Sequence, residues 1–349
     1  MNTLDSSDFF TLEKSDLSKD DLDHFKNKYP GIPIHGTVIK GNPIWHSKQM
    51  SIFFFEGLSD SFRIYTSRNI PNNSYFIFSN PWTPYTEAHL KQQLDFFHDI
   101  THNKFNNSQI IHIANDTQSL NTAKSIGLHR SIFCNQNAFI DFNVFKIIRE
   151  SNRKQFDLAI NCRPEGFKRP FLANGVERLL VIQGANHNPL DFFDLNQLNP
   201  KYINKTRISQ VEVNDLINQA KVGGIFSASE GACFASSEFL LAGLPVVSTH
   251  SIGGRDFWYD ESNSIICDPT EESVSIAVNS AIEKINSGEF SPEKIRSSHI
   301  NKSLSLRSDF CTLLQSLLDE NNESIHAKTL LKAYLSGGSL FKKSKYPLY

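Results

Sequence analysis

The chain has 349 residues, of which 35 Lys and Arg nearly balance 37 Asp and Glu for a formal net charge of -2. That balance supplies no long-range field to draw a polyanion, and no basic stripe interleaved with aromatics occurs, which argues against nucleic-acid binding. A hydrophobic share of 39%, with 28 Phe, excludes a wholly disordered chain, and the length suits two domains better than one.

The opening MNTLDSSDFFTLEKSDLSKDD is acidic and lacks the basic-then-apolar order of a secretory leader, and no apolar run approaches bilayer length. The expectation is a cytoplasmic chain whose Asn-x-Ser/Thr sequences stay unmodified. Its five cysteines, Cys134, Cys162, Cys233, Cys267 and Cys311, are dispersed and fit neither a zinc nor a redox motif. They read as small buried residues in a reducing compartment.

To about residue 145, short aromatic and β-branched runs alternate with turn residues: IPIHGTVI from Ile32, SIFFFE from Ser51, FRIYTS from Phe62 and YFIFS from Tyr75. These predict strands. Leu90, Leu94, Phe97 and Ile100 then recur at helical spacing after Thr86, followed by a strand QIIHIA from Gln109 and a short helix ending near Gly127. The strand from Arg130 runs into the Asn-rich turn NQNAFID, a natural exit from a first domain, and a hinge is expected between Asp141 and Arg153.

From Phe156 strand and helix alternate. Strand DLAIN is followed by a polar loop to Arg169, a helix-like segment through Val176, strand RLLVIQG and a Pro- and Asn-rich stretch to about Ser209. Asn214 reads as the N-cap of a helix closed by Gly223-Gly224, and strand IFSAS, helix FASSEFLLAG and strand LPVVST come next. Thr270 caps an amphipathic helix bearing Val274, Ala277, Val278, Ala281, Ile282 and Ile285, with Glu271 and Glu272 at its positive end. Such alternation predicts parallel βαβ units in a doubly wound α/β domain. Phe310, Leu313, Leu314 and Leu317 mark a further helix before the tail LFKKSKYPLY. Lys342, Lys343 and Lys345 in that tail suit either solvent or peripheral contact with an anionic membrane face.

Open α/β sheets bind ligands beyond the carboxyl ends of their strands. Two loops there concentrate useful groups. In NCRPEGFKRP, Arg163 and Lys168 are suited to hold a phosphate or diphosphate, with Arg169 adjacent and Gly166 relaxing the loop; a solvated basic loop is the plain alternative. In SEGACFASSEFLLAG, Gly231 permits a tight turn after Glu230, so that the amides of Ala232, Cys233 and Phe234 can open a helix toward an anion. Glu238, two helical turns beyond Glu230, suits the vicinal hydroxyls of a ribose; otherwise Glu230 is a surface charge and Glu238 serves its helix.

The Arg-x4-Lys and Glu-x7-Glu spacings, the Gly243-Leu244-Pro245-Val246-Val247 strand and the Gly253-Gly254 loop after it resemble the retaining nucleotide-sugar glycosyltransferases of the GT-B fold, glycosyltransferase family 4. The resemblance covers about Phe156 to Ile285. It implies an α/β GT-B architecture of two Rossmann-like domains facing across a cleft: residues 1–145 on the acceptor side, 146–305 on the donor side, and 306–349 a C-terminal helix and basic tail. It implies catalytic roles for Arg163, Lys168 and Glu230, and donor binding by Gly231, Ala232, Cys233, Phe234, Glu238, Gly254 and Arg255. Arg255 and Asp256 are read either as donor or acceptor contacts or as a pair with each other. The family's N-terminal Gly-rich loop and first-domain histidine have no counterpart here. His112 reads as a core residue, and His89, near Trp82 and Tyr85, as no more than an acceptor-side candidate.

The activity that the resemblance implies is metal-independent, cofactor-free transfer of a sugar from a nucleotide-diphosphate donor to a glycan, lipid-linked or small-molecule hydroxyl acceptor, in bacterial surface-polysaccharide assembly. Three other readings stand beside it: a CMP-linked acidic sugar as donor, a nucleotide-sugar epimerase on the same fold, and a non-catalytic binding or scaffold subunit.

Overall fold

The computed structural model describes residues 19–30, 43–55, 57–58, 70–80, 86–148 and 154–335. The expected strands at Ile32 and Phe62, the residues Trp82 and Tyr85, part of the expected hinge and the lysine-bearing tail lie outside the described residues. The chain forms two compact units, Met1–Phe139 with Leu306–Tyr349, and Ile140–Ser305.

The first unit begins with α1 (Lys19–Lys28), β1 (Pro43–His46) and β2 (Ser51–Phe55), then β3 (Tyr75–Phe78), α2 (Glu87–Ile100), β4 (Ile110–Ala114), α3 (Thr117–Ser125) and β5 (Ile132–Phe133). Among the described residues these strands form one 5-stranded sheet in the order β1-β2-β3-β4-β5. β1 runs antiparallel to β2, and the remaining pairs are parallel. Side chains of the residues before the helices fix where they start: Thr86 accepts from the His89 amide at 3.2 Å, and Asp116 from the Ser119 amide at 2.7 Å. The phenylalanines supply the core. The Phe76 ring lies 5.6 Å from Phe53, 4.9 Å from Phe97 and 4.6 Å from Phe105, mixing stacked and edge-on contacts. His112 is part of this core, 2% exposed and stacked on Phe78.

The second unit comprises β6 (Phe156–Cys162), β7 (Leu179–Gln183), β8 (Tyr202–Ile203), α4 (Gln210–Ile217), β9 (Ala220–Ile225), α5 (Phe234–Leu241), β10 (Val246–Thr249), β11 (Ser264–Cys267) and α6 (Glu271–Asn286), and then the start of α7 (Pro292–Glu320). Its 6-stranded sheet has the order β11-β10-β9-β6-β7-β8, with every neighbouring pair parallel. Counted within the unit, this is the 3-2-1-4-5-6 order of a doubly wound α/β sheet. The order reverses between β6 and β9.

Several local expectations are corrected. Asn214 does not cap α4; Ser209 does, in a reciprocal box with Glu212, and Asn214 is buried inside the helix, accepting from the Lys146 amide at 3.0 Å. Gly223-Gly224 does not close that helix but belongs to β9, and the strand ends at Ile225 rather than running through Ser229. Helix α5 packs so closely on β9 that a Cβ at Gly223 would meet Phe239 Cγ at 2.4 Å. The helix-like segment after Arg169 is a pair of short 3-10 turns, Gly166–Lys168 and Pro170–Ala173, separated by Arg169 in left-handed conformation at φ 50°.

The described residues 306–335 pack with the first unit. Arg307 Nε donates to Ala138 O at 2.6 Å, the Phe310 ring meets Phe139 at 5.4 Å, and Arg130 grips Glu320 with two bonds of 2.8 and 2.9 Å. The end of α7 therefore packs within the first unit, as does α8 (Ala327–Leu335), which touches β1. Among the described residues no helix is long and apolar enough to cross a membrane.

Candidate functional site

Parallel strands carry their free carboxyl ends to one edge, and the crevice of such a sheet opens where the strand order reverses. In the second unit that point lies between the ends of β6 and β9. A small recess is found there, lined by Asn161 and Cys162 from β6, by Ser227, Glu230 and Cys233 from the loop after β9, and by Lys168 from the loop after β6.

The polar groups of this recess are bonded to one another. Lys168 Nζ pairs with the Glu230 carboxylate, which also accepts from Ser227 Oγ at 2.6 Å. Glu230 is 5% exposed, so it is a buried, paired carboxylate rather than a surface charge. Arg163, just past β6, places Nη2 at 3.4 Å from Glu165 Oε2. Glu165 is itself buried and accepts from the His187 amide at 2.9 Å, which ties the loop after β6 to the loop after β7.

The loops after β9 and β10 are laced together by backbone bonds from Glu230 to Ile252, from Ile252 to Ala228 and from Gly254 to Gly231, of 2.9, 2.9 and 2.8 Å. The Gly253 φ of 111° lies where a side chain would be strained, so this crossing requires glycine. Cys233 occupies the N-cap of α5 in left-handed conformation and caps it with no side-chain bond, leaving the positive end of the helix dipole at the recess. Just over one turn of α5 brings Glu238 back to the end of β6, where its carboxylate accepts from Asn161 Nδ2 at 2.8 Å. The fold thus gathers Lys168, Glu230, Cys233 and, through Asn161, Glu238 around one strand-end recess, with Arg163 on the adjoining loop.

Arg255, expected as a donor-binding residue, is enclosed by protein. Its side chain is fully buried, with Nε on Asp256 Oδ1 at 2.8 Å, Nη1 on Ser227 O at 2.8 Å and Nη2 on Thr249 O. It fastens the ends of two strand loops, and the expected internal Arg255–Asp256 pair is formed. The cysteines also need correction: all five are free thiols, but only Cys134 is buried outright. Burial pushes the Cys162 and Cys233 thiols up to about 12, which favours the neutral thiol at both.

Asn161, Ser227, Glu165 and Thr249 were not singled out from the sequence, yet each orients a candidate group. The available signal was position: Asn161 is the polar residue at the end of the apolar strand, and Glu165 stands between the two cations. Arg169, noted only as adjacent, donates Nη2 to Thr249 Oγ1 at 3.2 Å, and burial and then Arg255 lower its proton affinity.

No family model matches the chain, and no curated protein matches it. Solved structures do. HepE of Anabaena in complex with UDP and glucose aligns at TM-score 0.58 and 13% identity over 76% of this chain and 77% of that one. A glycosyltransferase of Rickettsia africae aligns at 0.53 and 13% identity over 74% of each chain. A variant of S. aureus TarM, solved with fondaparinux, α-GlcNAc-glycerol and UDP, aligns at 0.54 and 14% identity over 75% of this chain and 55% of that one. The shared feature is the fold: this chain has the two-domain Rossmann-like GT-B architecture.

Proposed function

We propose that the protein is a glycosyltransferase that takes a nucleoside-diphosphate sugar on its second unit and passes the sugar to a hydroxyl acceptor. The observation that carries this reading is the coincidence of the strand-order reversal with a recess holding Lys168, Glu230 and the start of α5. A bound diphosphate meets a lysine ammonium and a helix N-terminus there, with the Arg163 guanidinium close in sequence and fold. Glu238, anchored by Asn161, offers a carboxylate of the kind that accepts ribose hydroxyls. The fold shared with structures solved with UDP makes UDP the first nucleotide to test.

Cleavage of the donor's glycosidic bond leaves the electron pair, and so the growing negative charge, on the diphosphate oxygen. Lys168 and Arg163 stabilise that charge more in the transition state than in the ground state, which raises the rate rather than only the affinity. Lys168 reaches the phosphate by turning from Glu230, which keeps its bond from Ser227. These cations do the work that a divalent ion does elsewhere, so transfer proceeds without added metal. Retention of configuration fits an acceptor proton that leaves to the departing phosphate; acceptors are glycans, lipid-linked sugars or small alcohols, with surface-polysaccharide assembly as the setting.

The test is a thermal-shift series with nucleoside diphosphates and their sugars, with no metal, on the wild type and Glu238→Gln. Selective stabilisation by one base, reduced in the variant, is expected. No stabilisation by any nucleotide overturns the reading.

A further inference from the structure

The loop that carries both candidate diphosphate cations also carries an aromatic ring between them, and the ring touches both. Arg163 Cζ lies 5.3 Å and Lys168 Nζ 4.8 Å from the Phe167 ring centroid. Both distances fall within the range over which a ring quadrupole attracts a cation. Phe167 is 40% exposed, so hydrophobic burial does not account for its place. Its backbone is fixed independently: the Phe167 amide donates to Asp191 Oδ2 at 2.9 Å, and a Cβ at Gly166 would meet Asp191 Oδ1 at 2.7 Å, which presses the turn against that carboxylate. The ring is thus held on a pinned backbone while its two contacts are long, flexible side chains.

We propose that Phe167 is a positioning residue that holds Arg163 and Lys168 as one two-cation clamp for the diphosphate; this rests on the donor reading above. Two cations brought together without an anion repel each other. Glu165 and Glu230 compensate them from one side each, at 3.4 Å for Arg163 and by the direct Lys168 pair. The shared ring adds attraction to both without adding a negative charge that a phosphate would then have to displace. A carboxylate in its place would neutralise the clamp, and an aliphatic residue would leave each side chain to its own rotamer entropy, which is large for Lys and Arg.

The experiment is isothermal titration of UDP and UMP into wild type, Phe167→Leu, Phe167→Trp and, as a control on the neighbouring exposed ring, Phe171→Leu. Loss of two partly exposed cation–π contacts predicts about 5- to 30-fold weaker UDP binding by F167L. The effect on UMP is expected to be smaller, F167W is expected to restore UDP affinity, and F171L to leave it unchanged. Equal UDP affinity in wild type and F167L overturns the inference, as does an equal loss for UMP and UDP, which makes the ring a base platform instead. If wild type binds neither nucleotide, it is the donor reading that fails, so the two failures are told apart.

Discussion

Replacing Arg255 by methionine keeps much of the side-chain volume and removes three hydrogen bonds from a fully buried guanidinium. Two of them satisfy the carbonyls of Ser227 and Thr249, and the third compensates Asp256. Bonds to a charged group contribute about 1.5–3 kcal/mol each, and removing one member of a buried pair costs about 3–5 kcal/mol. Asp256 is 32% exposed, so water recovers part of its share. The expected loss is therefore about 3–5 kcal/mol, read by urea unfolding without ligand as a lower midpoint at unchanged slope. Arg255→Lys is expected to fall between, since one ammonium cannot reproduce the fork that spans both carbonyls. If Arg255→Met stays within about 1 kcal/mol of wild type yet abolishes nucleotide binding, the latch account is wrong and Arg255 is a ligand.

Gly223→Ala is expected to cost about 1–3 kcal/mol by forcing Phe239 away from β9, and Phe239→Leu in the same chain to return part of it; additive losses in a double-mutant cycle contradict that contact. Burial holds His112 near pKa 4 against an ordinary 6.5, an effect only partly offset by its bond to the Ser119 backbone. Its folded-state pKa is depressed, so its share of stability is whole above pH 6.5 and is lost as the pH falls toward 4, in total about 3 kcal/mol. The wild-type stability advantage over His112→Gln should shrink across that window; a pH-independent difference refutes the assignment.

The second unit of the fold was legible because parallel strands between helices leave a strong pattern, and because Arg163, Lys168 and Glu230 fall in loops just past strand ends, with Glu238 on the helix that follows. The features that were not legible depend on tertiary contact. Gly223-Gly224 looks like a helix terminator, yet it pairs with β6 and β10 as a central strand, and the close approach of Phe239 leaves no room for a side chain at Gly223. The Ser209-x-x-Glu212 signature of the α4 start was present in the sequence, but Asn214 is an equally good capping residue type, and only its burial decides against it. Arg255 looks like an available cation beside a Gly-Gly loop, and nothing local tells that two carbonyls and Asp256 take up its donors. In the first unit the aromatic runs at Ser51 and Tyr75 predicted β2 and β3, whereas the return of the chain after Leu306 into that unit depends on contacts such as Phe310 with Phe139 that no local pattern encodes.

The most direct measurement is a metal-free calorimetric titration of UDP, with the other nucleoside diphosphates in parallel, into wild type, Lys168→Met and the double variant Lys168→Met/Glu230→Gln. Loss of a charge-assisted bond predicts at least about 10-fold weaker binding by Lys168→Met, with part of it recovered in the double variant because Glu230 is no longer an uncompensated charge facing a phosphate. Wild-type affinity retained by Lys168→Met contradicts the central claim that this strand-end recess grips the diphosphate.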